Sequence, residues 1–194
     1  MDNKSIILTI IVLFIIVCLS YICHLTGKSF YNNTNNKDDI YDISHMLLPD
    51  LYQSNYLHQI LDFMALLPFI VFIFFRNDLL LEFLAFLPII YLIRSIFNNV
   101  TILPKYSNCD DSEYDLSNIF RGHCYDKIFS GHFAITVLFS FILYNYNLFN
   151  LPTLILYNSF NILLILLTRS HYSIDLLVSF SITFLVYSFN LKLF

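Results

Sequence analysis

The composition of this chain excludes an ordinary soluble domain and a nucleic-acid-binding protein. Of its 194 residues, 58% are hydrophobic and 12% are charged, whereas a typical globular protein carries about 25% charged residues. The mean hydropathy is +0.68. The net charge is −4, and ten Lys and Arg in the whole chain cannot form a basic surface that follows a nucleic-acid backbone.

Long apolar runs predict an all-α integral membrane protein with six transmembrane helices. A helix needs about 20 apolar residues to cross the ~30 Å hydrocarbon layer. The six runs, in chain order, are 5–23, 60–75, 79–97, 133–149, 151–167 and 174–189. The first run could instead be a cleaved signal peptide, because Lys4 precedes it, but its 19 uncharged residues favour a retained span.

Six spans place all the long polar connections on one face of the membrane. These connections are 28–59, 98–131 and 168–173, whereas the other two are tight turns on the face that also carries both termini. An active site would therefore lie at one membrane interface. Lys and Arg are more frequent in the long connections, and the positive-inside rule would place this face in the cytoplasm. We expect one domain, 1–194.

The sequence predicts no metal and no cofactor. No spacing of Cys and His matches a zinc site, and three glycines cannot form a glycine-rich phosphate loop. Carboxylates are not clustered as Mg²⁺ ligands are. Cys109 and Cys124 share one polar loop and could form a disulfide in an oxidising compartment, with two free thiols as the alternative.

Two histidines stand at the entrances of predicted spans on the same face. His132 follows Ser130 and Gly131 at the fourth span, and His171 precedes Asp175 by four residues at the sixth. Residues four apart on a helix lie about 6 Å from each other, so Asp175 can orient the imidazole of His171 and stabilise its charge. Such an imidazole can attack phosphorus while a second histidine protonates the leaving alkoxide. The remaining histidines fit interfacial polar residues: His24, His45, His58 and His123.

Four segments carry motifs in a recognisable order. Residues 48–50 read L-P-D, residues 94–104 fit R-x6-T-x-L-P, residues 124–132 fit C-x-D-x-x-F-S-G-H, and residues 171–175 fit H-Y-[ST]-x-D. Together with six spans, they resemble the sphingomyelin synthase family, within the wider PAP2-like superfamily of lipid phosphotransferases and phosphatases. The resemblance covers 47–189, and 1–46 holds the first span and a variable loop.

The resemblance implies an enzyme that moves a phosphocholine, phosphoethanolamine or phosphoinositol head group from a glycerophospholipid, such as phosphatidylcholine, to ceramide. In this family's terms His171 is the nucleophile and Asp175 orients it. His132 first protonates the leaving diacylglycerol oxygen and then takes the proton of the ceramide hydroxyl. The partners are membrane lipids, no cofactor is needed, and a homo-oligomer is left open.

The resemblance also implies a set of substrate-binding residues around the histidines. Arg94 would neutralise the phosphodiester, Asp126 would meet a cationic head group, and Ser130 and Gly131 would line the site. Arg169 is a second phosphate ligand, or else a positive anchor at the interface. Asp126 has the alternative of a solvated loop carboxylate.

Two other functions compete with the transferase. A lipid phosphate phosphatase would use the same histidines with water as acceptor, but its K-x6-R-P motif is missing, because the chain contains no Arg-Pro. The other is an inactive relative or a membrane scaffold. As in the family, we expect the active site on the lumenal or exoplasmic face of the Golgi, endoplasmic reticulum or plasma membrane, against the charge bias. Phe133 replaces the polar residue usual after S-G-H, which leaves the substrates open.

Overall fold

A computed structural model of the chain describes residues 3–33, 41–101 and 128–190. This part of the chain forms seven helices and no β-strand. The helices are α1 (Asn3–Asn33), α2 (Ile43–Leu47), α3 (Asn55–Phe74), α4 (Asn77–Val100), α5 (Gly131–Asn145), α6 (Leu151–Leu167) and α7 (Ser173–Asn190). The all-α prediction is confirmed. The predictions for Cys109, His123, Cys124 and Asp126 fall outside the described residues.

Each predicted apolar run coincides with one helix, and the short α2 was not predicted. The fourth run ends at Asn145 instead of 149, because Asn147 has a left-handed φ of 57°. The Leu148 N–H donates to the Leu143 carbonyl at 2.8 Å, a Schellman motif that stops α5. Of the described helices, α3 and α4 are long and apolar enough to cross a membrane, whereas α5, α6 and α7 are shorter apolar helices. The six-span layout therefore stays a prediction.

Helix α5 is the centre of the bundle. It packs against α3, α4, α6 and α7, and α1 packs on the outside against α4. From Phe133 to Leu143 every residue of α5 is buried. Phe72 of α3 lies 5.1 Å from Phe83 of α4 and 5.2 Å from Phe139 of α5 between ring centroids, so aromatic packing joins three helices. The entrance of α5, which carries His132, is thereby held among the other helices.

The segment before α3 folds back onto the connection between α6 and α7. The Asp42 carboxylate accepts the Ser44 N–H at 2.9 Å and so caps α2. It also accepts the backbone N–H of Ser173 at 2.6 Å and the Ser173 hydroxyl at 2.9 Å. The Leu51 N–H donates to the Leu167 carbonyl at 2.9 Å. One carboxylate therefore joins the starts of α2 and α7.

We predict that Asp42→Ala destabilises the protein most clearly near neutral pH. Burial raises the pKa of Asp42, but hydrogen bonds from Ser44, Ser173 and the His45 backbone outweigh it and lower the pKa from 3.8 to about 2. Since the pKa is lower in the folded state, the contribution of Asp42 is complete above pH 3.8 and disappears as the pH falls through about 2. Loss of the cap costs about 1 kcal/mol, or about 2 to 4 °C in melting temperature.

The measurement is thermal unfolding in detergent at neutral pH and at pH values between 4 and 2. Asp78→Ala is the control, because Asp78 is an exposed carboxylate paired with Arg76 at 2.7 Å and exposed ion pairs contribute little. A constant difference between Asp42→Ala and the unsubstituted protein down to pH 2 would contradict this account of Asp42.

Candidate active site

His171 and Asp175 form a buried pair at the start of α7. The Nδ1 atom of His171 lies 3.5 Å from Oδ2 of Asp175. The same oxygen accepts the Tyr172 N–H at 2.9 Å, which fixes the carboxylate against the turn that carries the histidine. Both side chains are buried, Asp175 completely. His171 and Asp175, which their spacing of four residues predicted to be neighbours, therefore lie together in the structure. Nδ1 of His171 faces the carboxylate, and Nε2 lies on the opposite edge of the ring.

His132 faces a different carboxylate. Its Nε2 atom lies 3.5 Å from Oδ1 of Asp62, which belongs to the second turn of α3, and the two side chains are 10% and 22% exposed. Asp62 lies inside the second predicted run, 60–75, and no sequence pattern assigned it a role. Its position could have indicated a function, because a carboxylate inside an apolar membrane span is energetically costly and usually serves a function.

Arg94 lies against the entrance of α5. Its side chain is 5% exposed, and its Nε donates to the Phe129 carbonyl at 3.0 Å. The guanidinium carbon lies 5.5 Å from the centre of the Tyr91 ring, within cation–π range. A Cβ atom at Gly131 would stand 3.0 Å from the Tyr91 hydroxyl and 3.2 Å from Nε of Arg94. Glycine at this position therefore permits the close approach of the guanidinium to the helix that carries His132.

Ser130 is the N-cap of α5. Its hydroxyl accepts the Phe133 N–H at 3.3 Å, and its carbonyl accepts the Ser179 hydroxyl of α7 at 2.9 Å. Ser130 is completely buried. These bonds hold the start of α5 against α7, so Ser130 helps to set the relative positions of His132 and His171, each of which lies at one of those two helix starts.

Arg169 ends α6 and binds the first connection. It has a left-handed φ of 52° at the position after the C-cap, and the Ser170 N–H donates to the Ile165 carbonyl at 3.2 Å in a second Schellman motif. The side chain is 5% exposed. Its Nη2 donates to the carbonyls of His45 at 2.7 Å and Leu48 at 2.8 Å. Its Nη1 is buried and forms no hydrogen bond with the residues that the structure describes.

Arg169, two residues before the H-Y-S-I-D segment, connects this segment to the L-P-D segment. Besides the bond to the Leu48 carbonyl, Nε of Arg169 lies 4.0 Å from Oδ1 of Asp50. His45 also contributes, because its Nε2 donates to the His171 carbonyl at 3.1 Å and its ring stacks on Tyr172 with centroids 5.2 Å apart. No sequence pattern singled out His45, since 126 residues separate it from His171.

Three charged groups surround the His132 imidazole. The charges of His171 and Arg94 both act on the His132 imidazole, as does the charge of Asp62. Across 3–33, 41–101 and 128–190, no three His, Cys, Asp or Glu side chains gather as metal ligands would. Imidazoles that lie beside carboxylates, as His132 and His171 do, can act as nucleophiles and transfer protons.

One family of known proteins is similar to the carboxy-terminal part of the chain. Residues 123–192 match the family model described as PAP2 superfamily C-terminal, a range that includes His132, His171 and Asp175 but not Arg94 or Asp62. No curated protein matches the chain significantly. The carboxy-terminal part of the chain is therefore similar to the PAP2 superfamily, whose members are typically membrane phosphatases and phosphotransferases that act on phosphate groups.

Proposed function

We propose that this protein is a six-span lipid phosphotransferase that moves a phosphorylated head group from a glycerophospholipid to ceramide. The observation that carries the proposal is the His171–Asp175 pair, with Nδ1 and Oδ2 3.5 Å apart, coupled to a second histidine that has its own carboxylate. Two imidazoles with separate carboxylates suit a double displacement, because one can form the covalent intermediate while the other moves the proton.

The first half-reaction transfers the head group to the protein. The Nε2 atom of His171 attacks phosphorus, the bond from phosphorus to the diacylglycerol oxygen breaks, and His132 gives its proton to that oxygen. Asp175 stabilises the positive charge on His171 and holds the proton on Nδ1, which keeps Nε2 available for attack. Diacylglycerol leaves, and the phosphoryl head group stays on His171.

The second half-reaction reverses these roles with a different alcohol. His132, now neutral, takes the proton of the ceramide primary hydroxyl, whose oxygen attacks phosphorus. The bond between phosphorus and Nε2 of His171 breaks. Both histidines return to their starting states, so the cycle needs no metal and no additional cofactor.

Arg94 and Arg169 are the proposed phosphate ligands. A guanidinium has five N–H donors in a planar arrangement that matches phosphate oxygens. Arg94 is supported by its position against Gly131. Arg169 is supported by its buried Nη1, which has no hydrogen bond although Nη2 has two. Its contacts to the first connection equally fit the anchoring role that the sequence left open.

A lipid phosphate phosphatase is the second candidate function, and the PAP2 match applies to it equally. It would use the same two histidines, with water in place of ceramide. The transferase is favoured by the contact between Arg169 and the L-P-D segment, because that segment belongs to the sphingomyelin synthase resemblance. The chain also lacks the Arg-Pro of the hydrolase motif.

We predict that His171→Ala abolishes transfer and that His132→Ala lowers its rate by about 10² to 10⁴. Asp175→Asn keeps the shape of the side chain but not its charge, so a strong loss is also expected, and double variants should lose little more than single ones. The measurement is lipid chromatography after incubation with labelled phosphatidylcholine, with and without ceramide.

His58→Gln is the matched control for these histidine variants. His58 donates through Nε2 to the Tyr52 carbonyl at 2.8 Å, a bond that the Gln amide can replace, so transfer should be retained. Head group released to water at a rate independent of ceramide would support the phosphatase. Unchanged lipid turnover in His171→Ala would rule out both enzymatic readings.

We predict that Gly131→Ala impairs transfer through Arg94 and Tyr91. The added methyl group would stand 3.0 Å from the Tyr91 hydroxyl and 3.2 Å from Nε of Arg94, so the guanidinium has to move. Steady-state kinetics should show a clear loss of kcat/KM with an unchanged melting temperature. Tyr91→Phe removes the nearest atom, and we expect the double variant to recover part of the loss. A double variant no better than Gly131→Ala would argue against this steric account.

We also propose that the long connections face the lumen or the exterior of the Golgi, endoplasmic reticulum or plasma membrane. An epitope tag inserted after Asn36 should then be protected from antibody while organelles are sealed, or accessible on intact cells. A tag added at the carboxyl terminus should behave oppositely, because six spans put both termini on the other face. Antibody access to the Asn36 tag only from the cytoplasmic side would reverse the orientation.

A further inference from the structure

We propose that Asp62 is the positioning residue of His132: it holds the imidazolium form of this histidine and directs its free nitrogen toward the reacting oxygens. The inference rests on the proposed function for its catalytic meaning. It adds a carboxylate on α3 to the residues that carry out the proton and phosphoryl transfers, His132, His171 and Asp175. The two histidines would then have separate carboxylates, Asp175 for the nucleophile and Asp62 for the acid and base.

The geometry of the pair is the first support. Oδ1 of Asp62 and Nε2 of His132 are 3.5 Å apart, with both side chains largely shielded from solvent. No hydrogen bond to Nε2 is formed within the described part of the chain, although the atom is buried. A buried donor at this distance from a carboxylate needs only a small approach to form a charge-assisted bond, and catalytic hydrogen bonds often shorten when substrate binds.

The charges around His132 are the second support. Burial is the largest influence against the imidazolium form of His132, Asp62 on α3 acts in the opposite direction, and the charges of His171, when it is protonated, and of Arg94 on α4 add to the effect of burial. Burial and positive neighbours disfavour an imidazolium, and a carboxylate favours it. Asp62 therefore favours the protonated form of His132 that the first half-reaction needs to protonate the leaving alkoxide. The carboxylate of Asp175 is engaged by His171 and by the Tyr172 N–H.

The two imidazole rings are oriented so that a different nitrogen of each histidine is available for the reaction. His171 turns Nδ1 to its carboxylate, which leaves Nε2 for phosphorus. His132 turns Nε2 to its carboxylate, which leaves Nδ1 to give a proton to the diacylglycerol oxygen and later to take one from ceramide. Asp62 itself keeps its negative charge throughout and exchanges no proton with the substrates.

The test compares Asp62→Asn and Asp62→Glu with the unsubstituted protein. Histidine NMR in detergent, with the His132 signal assigned from His132→Gln, follows the protonation of this residue directly and requires no turnover. We expect the titration midpoint of His132 to fall by at least one pH unit in Asp62→Asn and to recover in part in Asp62→Glu. The pH optimum of transfer should move down with it, with about a tenfold loss of rate at pH 7.5, since one unit changes the protonated fraction tenfold.

The outcomes separate this inference from the proposed function. A shifted His132 titration in a protein that transfers no head group would sustain the Asp62–His132 pair and refute the transferase. An unshifted titration in folded Asp62→Asn would refute the pair whatever the activity, as would an unchanged pH profile with only a lower melting temperature. If Asp62→Asn does not fold, Asp62→Glu decides, because a displaced carboxylate should still move the His132 midpoint. Asp78→Asn, which alters an exposed carboxylate, should leave that midpoint unchanged.

Discussion

The buried guanidinium of Arg169 is the contact on which the proposed active site depends. One nitrogen bonds two carbonyls of the first connection, while the backbone of the same residue adopts the left-handed conformation that ends α6. The end of α6, the turn that carries His171 and the L-P-D segment are therefore held by one side chain. Charge-assisted bonds to carbonyl oxygens are among the stronger hydrogen bonds, and burial keeps water from competing with them.

Around this contact, the helix ends are satisfied by side chains that also connect different parts of the chain. Asp42 accepts bonds from the starts of α2 and α7, and Ser130 caps α5 while its carbonyl binds Ser179 of α7. Free N–H groups at helix ends have to find acceptors. Some of these acceptors bind N–H or O–H groups of a different helix. These bonds therefore fix the positions of the histidine-bearing helices relative to each other.

Sequence patterns predicted what is local and missed what is distant. The long helices follow from apolar runs, and the His171–Asp175 pair follows from their spacing on one helical turn. Asp62 and His45 could not be assigned, because their contacts are with residues on other elements, and the separation of His45 from His171 is 126 residues. Helix α2 was not predicted because a helix of five residues is too short to show a helical periodicity of apolar residues. The early end of α5 depends on a left-handed Asn147, whereas the predicted run continued past Asn145 and Asn147 to residue 149.

The bonds between the first connection and the turn before α7 also constrain how the protein is made. Residues 41–50 leave the ribosome long before Arg169 and Ser173, so Asp42 and the carbonyls of His45 and Leu48 have no partners until those two residues have been synthesised. Contacts between such distant segments form late, because the intervening chain must be ordered first. A nascent chain lacking α7 would hold His132 but not the bonded loop that carries His171. Chemistry at this site would therefore begin only after α7 has been synthesised.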